Sequence, residues 1–245
     1  MFFSKNQIQE KLIAKPRVIF LTLIVCVFSL AQVARAESIS GKVDFDGTPA
    51  ENSKIDMAAD SVCKSMHSGD FFAERIVVNP NKTLKNVFVY IKEGVKEKSA
   101  PSSAPAILEQ KGCWYTPHVI GMQAGQKLQL TNDDATLHNV HAVAKNNQEF
   151  NLGMPLQGMK LEKTFSNPEV MVKMKCDVHP WMNAYVGVLP HPYFGVTGAD
   201  GTFEIKDLPP GDYTLEAWHE KYGTQTQKIT VTEGQTATAD FTFNG

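Results

Sequence analysis

The sequence is 245 residues long, 42% of them hydrophobic, with 24 Lys and Arg against 26 Asp and Glu. Without the first 36 residues, which are set aside below, 19 basic and 25 acidic side chains remain, and this acidic balance argues against nucleic acid as a partner. The 209 residues left suffice for one large or two small domains, each able to bury a core.

In chain order, Lys5, Lys11, Lys15 and Arg17 precede the apolar run V-I-F-L-T-L-I-V-C-V-F-S-L-A, and A-R-A follows, ending at Ala36. A basic start, an apolar stretch and small residues predict a secretory signal peptide over residues 1–36. The mature protein is then periplasmic or secreted. Val25 before Cys26 is too large for a lipoprotein cleavage site. No other run approaches the roughly 20 apolar residues that cross a bilayer, so no membrane span is expected after cleavage.

Beyond the signal the patterning has a period of two: V-F-V-Y-I at 87–91, K-L-Q-L-T at 127–131, V-M-V-K-M-K-C at 170–176, G-T-F-E-I at 201–205, K-I-T-V-T at 228–232 and A-D-F-T-F at 239–243. Short strands separated by Gly, Pro, Asn and Asp predict an all-β protein built of sandwiches. The one helix-like stretch spans 55–67, and S-A-P-S-S-A-P at 99–105 reads as a flexible loop. After Val188 the segment L-P-H-P-Y-F places a domain join near residue 190. The expected division is an N-terminal β segment over 37–84, a domain over 85–190 and a second sandwich over 191–245.

Cys176 ends a strand in which alternation puts Val170, Val172, Met174 and Cys176 on one face. His179 and Met182 follow on the loop C-D-V-H-P-W-M, where Pro180 discourages a helix or a paired strand. Thiolate, imidazole and a weak thioether together suit copper cycling between Cu(I) and Cu(II). Such a site needs a second histidine from elsewhere, and T-L-H-N-V-H-A-V at 136–143 offers His138. His141 is the rival, but in an extended strand it points away from the face of His138.

C-D-V-H-P-W-M-N-A-Y-V-G-V resembles the C-terminal ligand loop of the cupredoxins, the type 1 blue copper proteins, and in its short Cys-x-x-His-x-x-Met spacing it looks most like amicyanin. L-H-N-V-H-A-V is similar to the family's upstream His-Asn-Val motif, and Y-T-P-H-V-I-G-M-Q-A-G-Q-K-L-Q-L-T-N to its approach strands, so the resemblance covers roughly residues 107–189. It implies a cupredoxin Greek-key β-sandwich holding one type 1 copper, with His138, Cys176 and His179 as equatorial ligands and Met182 as the axial one. Asn139 would tie the two ligand segments together. The implied role is a one-electron carrier between redox protein partners, not an enzyme, with an exposed edge of His179 as the electron outlet beside a docking patch of Pro180, Trp181 and residues 150–156. The alternative is an envelope module that holds copper for storage or sensing.

D-G-T-F and L-P-P-G-D-Y in the tail resemble the carboxypeptidase regulatory-like, transthyretin-type β-sandwich, a fold silent about activity. From Tyr193 onward the chain is short for that fold, and I-S-G-K-V-D-F-D-G-T-P-A at 39–50 looks like its missing opening strand. Residues 37–84 would then pair with the C-terminal part. Cys63 and Cys113 are left for each other as a disulfide, as an exported protein allows; a second metal site from Cys63, His67, Cys113 and His118 is the other option. W-H-E-K-Y at 218–222 lacks the second His of a zinc-protease helix, and His191 and His219 read as surface or interface residues.

Overall fold

The computed structural model describes residues 37–97 and 99–245; the expected signal peptide lies outside them. The chain opens with β1 (Ser38–Asp46), β2 (Lys54–Ile55), α1 (Ser61–Met66), β3 (Phe71–Phe72) and β4 (Phe88–Glu93). Next come β5 (Ala106–Gln110), β6 (Tyr115–Thr116), β7 (Val119–Gln123), β8 (Lys127–Asn132), β9 (His138–Val143), β10 (Phe150–Met154), β11 (Met159–Thr164), β12 (Glu169–Lys175) and β13 (Asn183–Leu189). The tail forms β14 (Phe194–Val196), β15 (Thr202–Ile205), β16 (Gly211–His219), β17 (Gly223–Val231), β18 (Thr236–Thr238) and β19 (Phe241–Asn244). Among the described residues, no helix is long and apolar enough to cross a membrane.

The fold is all-β, as the period-two patterning implies. One sandwich packs the sheet β10-β9-β12-β13-β7 on the sheet β11-β8-β5-β6. The chain leaves β10 for β11 in the opposite sheet and returns to β12 beside β9, the crossed connection of a Greek key. Its core interleaves Leu108, Leu128 and Leu130 from one sheet with Val140, Val172, Met174 and Val186 from the other. A β-bulge between Glu169 and Val172 shifts the phase of β12. Val170, expected inside, is therefore 40% exposed, while Glu169 turns in to accept the amides of Lys145 (2.6 Å) and Asn146 (2.9 Å).

The second sandwich packs β14-β4-β16-β17 on a sheet centred on β1. β1 runs antiparallel to β15 and parallel to β18 and β19, burying Ile39, Val43 and Phe45 against Phe203, Phe241 and Phe243. The first described strand thus lies among the last ones, and β5 to β13 are inserted between β4 and β14.

This arrangement corrects the expected boundaries. β4, assigned to the domain over 85–190, pairs with β14 and β16 of the second sandwich, and residues 191–245 do not close that sandwich without β1 and β4. The physical reason is that β4 is buried on both faces. Val87, Val89 and Ile91 enter the second core, while Phe88 and Tyr90 pack on Val119 and Leu189 of the first sandwich. A strand covered on both sides reads as a continuous apolar run, with no alternation to say which sheet it joins.

The ring of Phe88 settles on a dent made by two glycines in register, Gly121 of β7 and Gly187 of β13. A Cβ on Gly187 would lie 2.5 Å from the Phe88 ring, and one on Gly121 would lie 2.7 Å from it. Gly187→Ala is expected to push Phe88 out of the join and to cost about 1–3 kcal/mol, which a lower urea midpoint with an intact far-ultraviolet spectrum would report.

Candidate metal centre

The upstream segment is built by the turn after β8. The Asn132 side chain donates to the carbonyls of Thr136 (3.0 Å) and Met154 (2.8 Å) and accepts the Asp134 amide (3.0 Å). The turn so fixed buries the Asp134 carboxylate and delivers His138 as the first residue of β9. The downstream segment is the loop from Cys176 to Met182. Its amides fold it back on itself: Cys176 N donates to the Met182 carbonyl (3.2 Å) and Met182 N to the His179 carbonyl (2.9 Å), while His179 N donates to Cys176 Sγ (3.3 Å).

Asn139 joins the two segments. Its Oδ1 accepts the amides of Asp177 (2.7 Å) and Val178 (3.2 Å) and the Cys176 thiol (3.3 Å). Behind it, the Tyr115 hydroxyl donates to the Asn139 carbonyl (2.6 Å). His141 points to the opposite face, between Asp177 (2.8 Å) and Glu149 (2.8 Å), and takes no place beside Cys176.

Three donor atoms converge. The Nδ1 atoms of His138 and His179 face each other at 2.9 Å, Cys176 Sγ is 3.9 Å from His179 Nδ1, and the three side chains bring donors within 4.8 Å of one another. Met182 is fully buried in the core beside them. His138 is 0%, Cys176 2% and His179 2% exposed, so the site is closed to solvent.

The outer nitrogens of the rings are held as well. His138 Nε2 meets Asp134 Oδ2 at 2.9 Å, and Asp134 also accepts the amides of Gly112 (2.7 Å) and Cys113 (2.7 Å). His179 Nε2 meets Asp60 Oδ2 at 3.0 Å and lies 3.6 Å from Cys63 Sγ. Asp60 is the N-cap of α1, where its other oxygen accepts the amides of Val62 (2.8 Å) and Cys63 (3.1 Å).

Burial pulls the His138 imidazole down, but Asp134 and Cys176 outweigh it and push it up to about 9. Burial holds His179 below its ordinary value against the pull of Asp60. Burial raises the Cys176 thiol, yet His138 and the surrounding amides bring it below the usual thiol range. The 2.9 Å between the two Nδ1 atoms is a hydrogen-bond distance, so one of them carries a proton. A metal ion fits in place of that proton, because once it leaves, two ring lone pairs and an easily ionised thiol face the same point.

Cys63 and Cys113 form a disulfide. The other option, a second metal site with His67 and His118, does not assemble: His67 bonds to the Gly112 carbonyl (2.7 Å) and His118 to Glu220 (2.5 Å). The disulfide pins α1 and the β2–β3 hairpin as a cap over the loop, with Met57, Ile55 and Phe71 packed on the first core. This cap overturns the expectation of an exposed His179 edge: Asp60 and Cys63 cover its Nε2, and the Trp181 ring lies 5.0 Å from the imidazole. Asp60 and Asp134 were missed in the sequence because an N-cap and a turn residue look alike whether or not a ring is bound behind them. His191 and His219, read as surface or interface residues, are 6% and 2% exposed; His219 stacks on Tyr222.

Residues 177–244 match the carboxypeptidase regulatory-like domain family. The matched stretch starts in the ligand loop and takes in β13, which belongs to the first sandwich. Among solved structures, the chain is similar to a copper-containing nitrite reductase from Thermus scotoductus at 18% identity and TM-score 0.33, over 40% of this chain and 25% of that one. It is similar to a purple cupredoxin from Nitrosopumilus maritimus at 26% identity and TM-score 0.29, over 34% of this chain and 98% of that one. It is also similar to an amicyanin variant in its Cu(I) form at 21% identity and TM-score 0.31, over 41% and 97%. No curated protein matches the sequence.

Proposed function

We propose that this is an exported type 1 copper protein that carries one electron at a time between redox protein partners, with a single copper ion held by His138, Cys176, His179 and Met182. The observation that carries this reading is the meeting of two Nδ1 atoms and a buried sulfur within 4.8 Å, on loops locked by Asn139 and Tyr115. When bound, copper supplies a one-electron Cu(I)/Cu(II) couple. The chain's part is to hold the donors still, so that little rearranges as the charge changes. Burial of all four side chains supports a carrier over an enzyme, because no substrate atom reaches them. The disulfide supports an oxidising compartment.

The cap supports a second reading, an envelope module that stores or senses copper, since covering His179 lengthens any route for an electron. Voltammetry separates the two. A carrier gives fast, reversible voltammetry, and Met182→Gln, which puts a harder oxygen donor on the loop, lowers the potential by about 59 mV for each tenfold gain of Cu(II) over Cu(I) affinity. Slow, irreversible voltammetry of the parent protein would favour storage, and an unchanged potential in a copper-loaded variant would remove Met182 from the site.

A further inference from the structure

We infer that Asp60 and Asp134 are a matched pair of positioning residues, each holding one imidazole of the metal centre through Nε2 so that both rings turn Nδ1 toward a bound ion and its oxidised state is favoured. The inference rests on the copper reading above and extends it to residues outside the ligand motif. They come from different parts of the chain. Asp60 belongs to the cap and Asp134 to the turn after β8, yet the two meet the two rings in the same way, Nε2 to Oδ2 at 3.0 Å and 2.9 Å.

Each carboxylate is itself fixed. Asp134 is 2% exposed and receives two backbone amides besides the ring; Asp60 receives two amides and the Thr136 hydroxyl at 2.8 Å. The disulfide joins the supports, since Cys63 supplies an amide to Asp60 and Cys113 supplies one to Asp134. A crosslink between those two residues therefore sets the spacing of the carboxylates, and through them the spacing of the rings.

The chemistry follows from this geometry. A carboxylate that accepts Nε2–H leaves the proton on the outer nitrogen and the lone pair on Nδ1, which fixes the tautomer and the ring orientation. It also makes the ring a better electron donor, and a stronger, harder donor favours Cu(II) over Cu(I). Two such pairs behind one centre oppose the neutral thioether of Met182, which favours Cu(I).

The tests are Asp60→Asn and Asp134→Asn, nearly isosteric changes; at position 60 the retained oxygen serves both backbone amides, and at position 134 it serves one of the two. Each is expected to lower Cu(II) affinity roughly 10- to 100-fold, with a smaller loss for Cu(I), and so to raise the potential by about 59 mV for each tenfold difference between the two losses. Asp133→Asn, a like charge change in the same turn at a side chain that bonds to neither ring, should leave the potential near that of the parent. Equal losses in both oxidation states, or an equal rise in the Asp133 control, would overturn the inference. A second measurement needs no copper: nitrogen-15 NMR of the apoprotein should find the proton of His179 on Nε2 and none on Nδ1. A proton on Nδ1 instead would refute the positioning role and leave the carrier proposal standing, whereas a parent protein that binds no copper would strike the carrier proposal and the claim about the oxidised ion, and leave the ring positioning to be judged by the NMR result.

Discussion

Cys176→Ser is expected to abolish the intense visible absorption of the oxidised, copper-loaded protein and to weaken copper binding severely. The band of a type 1 site arises from charge transfer out of a thiolate, and Cys176 is the free cysteine among the described residues. Its sulfur lies within 3.9 Å of His179 Nδ1 and accepts the His179 amide, and with Cys63 and Cys113 joined in a disulfide no other thiolate among the described residues can take over that transition. Serine is nearly isosteric, and the loop hydrogen bonds through Asn139 to the amides of Asp177 and Val178 remain. The apoprotein should fold as before, with a near-ultraviolet spectrum like that of the parent. Absorption of the copper-loaded variant decides the matter: retention of the same band would mean that the metal, if bound, sits elsewhere.

Replacing both Cys63 and Cys113 with Ala should be the most destabilising change in the cap. The crosslink closes a loop with a sequence separation of 50 residues, for which chain entropy alone gives about 4 kcal/mol. Short elements hang on it: α1 has 6 residues and β2 and β3 have 2 each, too few to hold a fold by themselves. The loss should be uneven. The two sandwiches keep their own cores, so denaturant unfolding should show an early cap transition or a lowered midpoint, and proteolysis should cut first within 52–75. His179 should become accessible, read as faster reaction with an imidazole reagent in the apoprotein. An unchanged midpoint with His179 still protected would mean that packing of Met57 and Phe71 holds the cap without the disulfide.

The fold class and the metal constellation were legible in the sequence for local reasons. Strands that face water on one side alternate, as K-L-Q-L-T and G-T-F-E-I do, and this period survives whatever packs behind. Cys176, His179 and Met182 lie within seven consecutive residues of one loop, so their meeting is nearly assured by chain geometry. His138 and Asn139 were readable because they follow a strand and a turn in order. Even the crosslink could be reached by counting, since the remaining thiol was committed to the loop.

Where the chain doubles back, the sequence alone was silent. V-F-V-Y-I declares a buried strand but not which sandwich owns it, because both of its faces are apolar and neither carries a phase. The bulge in β12 turned Val170 outward, a shift of register that depends on how Glu169 is satisfied by the amides of Lys145 and Asn146 and so on a partner strand. The environment of His179 is the largest such case. The residue that meets its outer nitrogen, Asp60, is 119 positions away and reads as an ordinary N-cap. A ligand set packed into one loop is a matter of short-range spacing, which sequence records directly; whether its imidazole faces solvent or a buried carboxylate depends on a distant segment folding over it, and only the tertiary structure decides that.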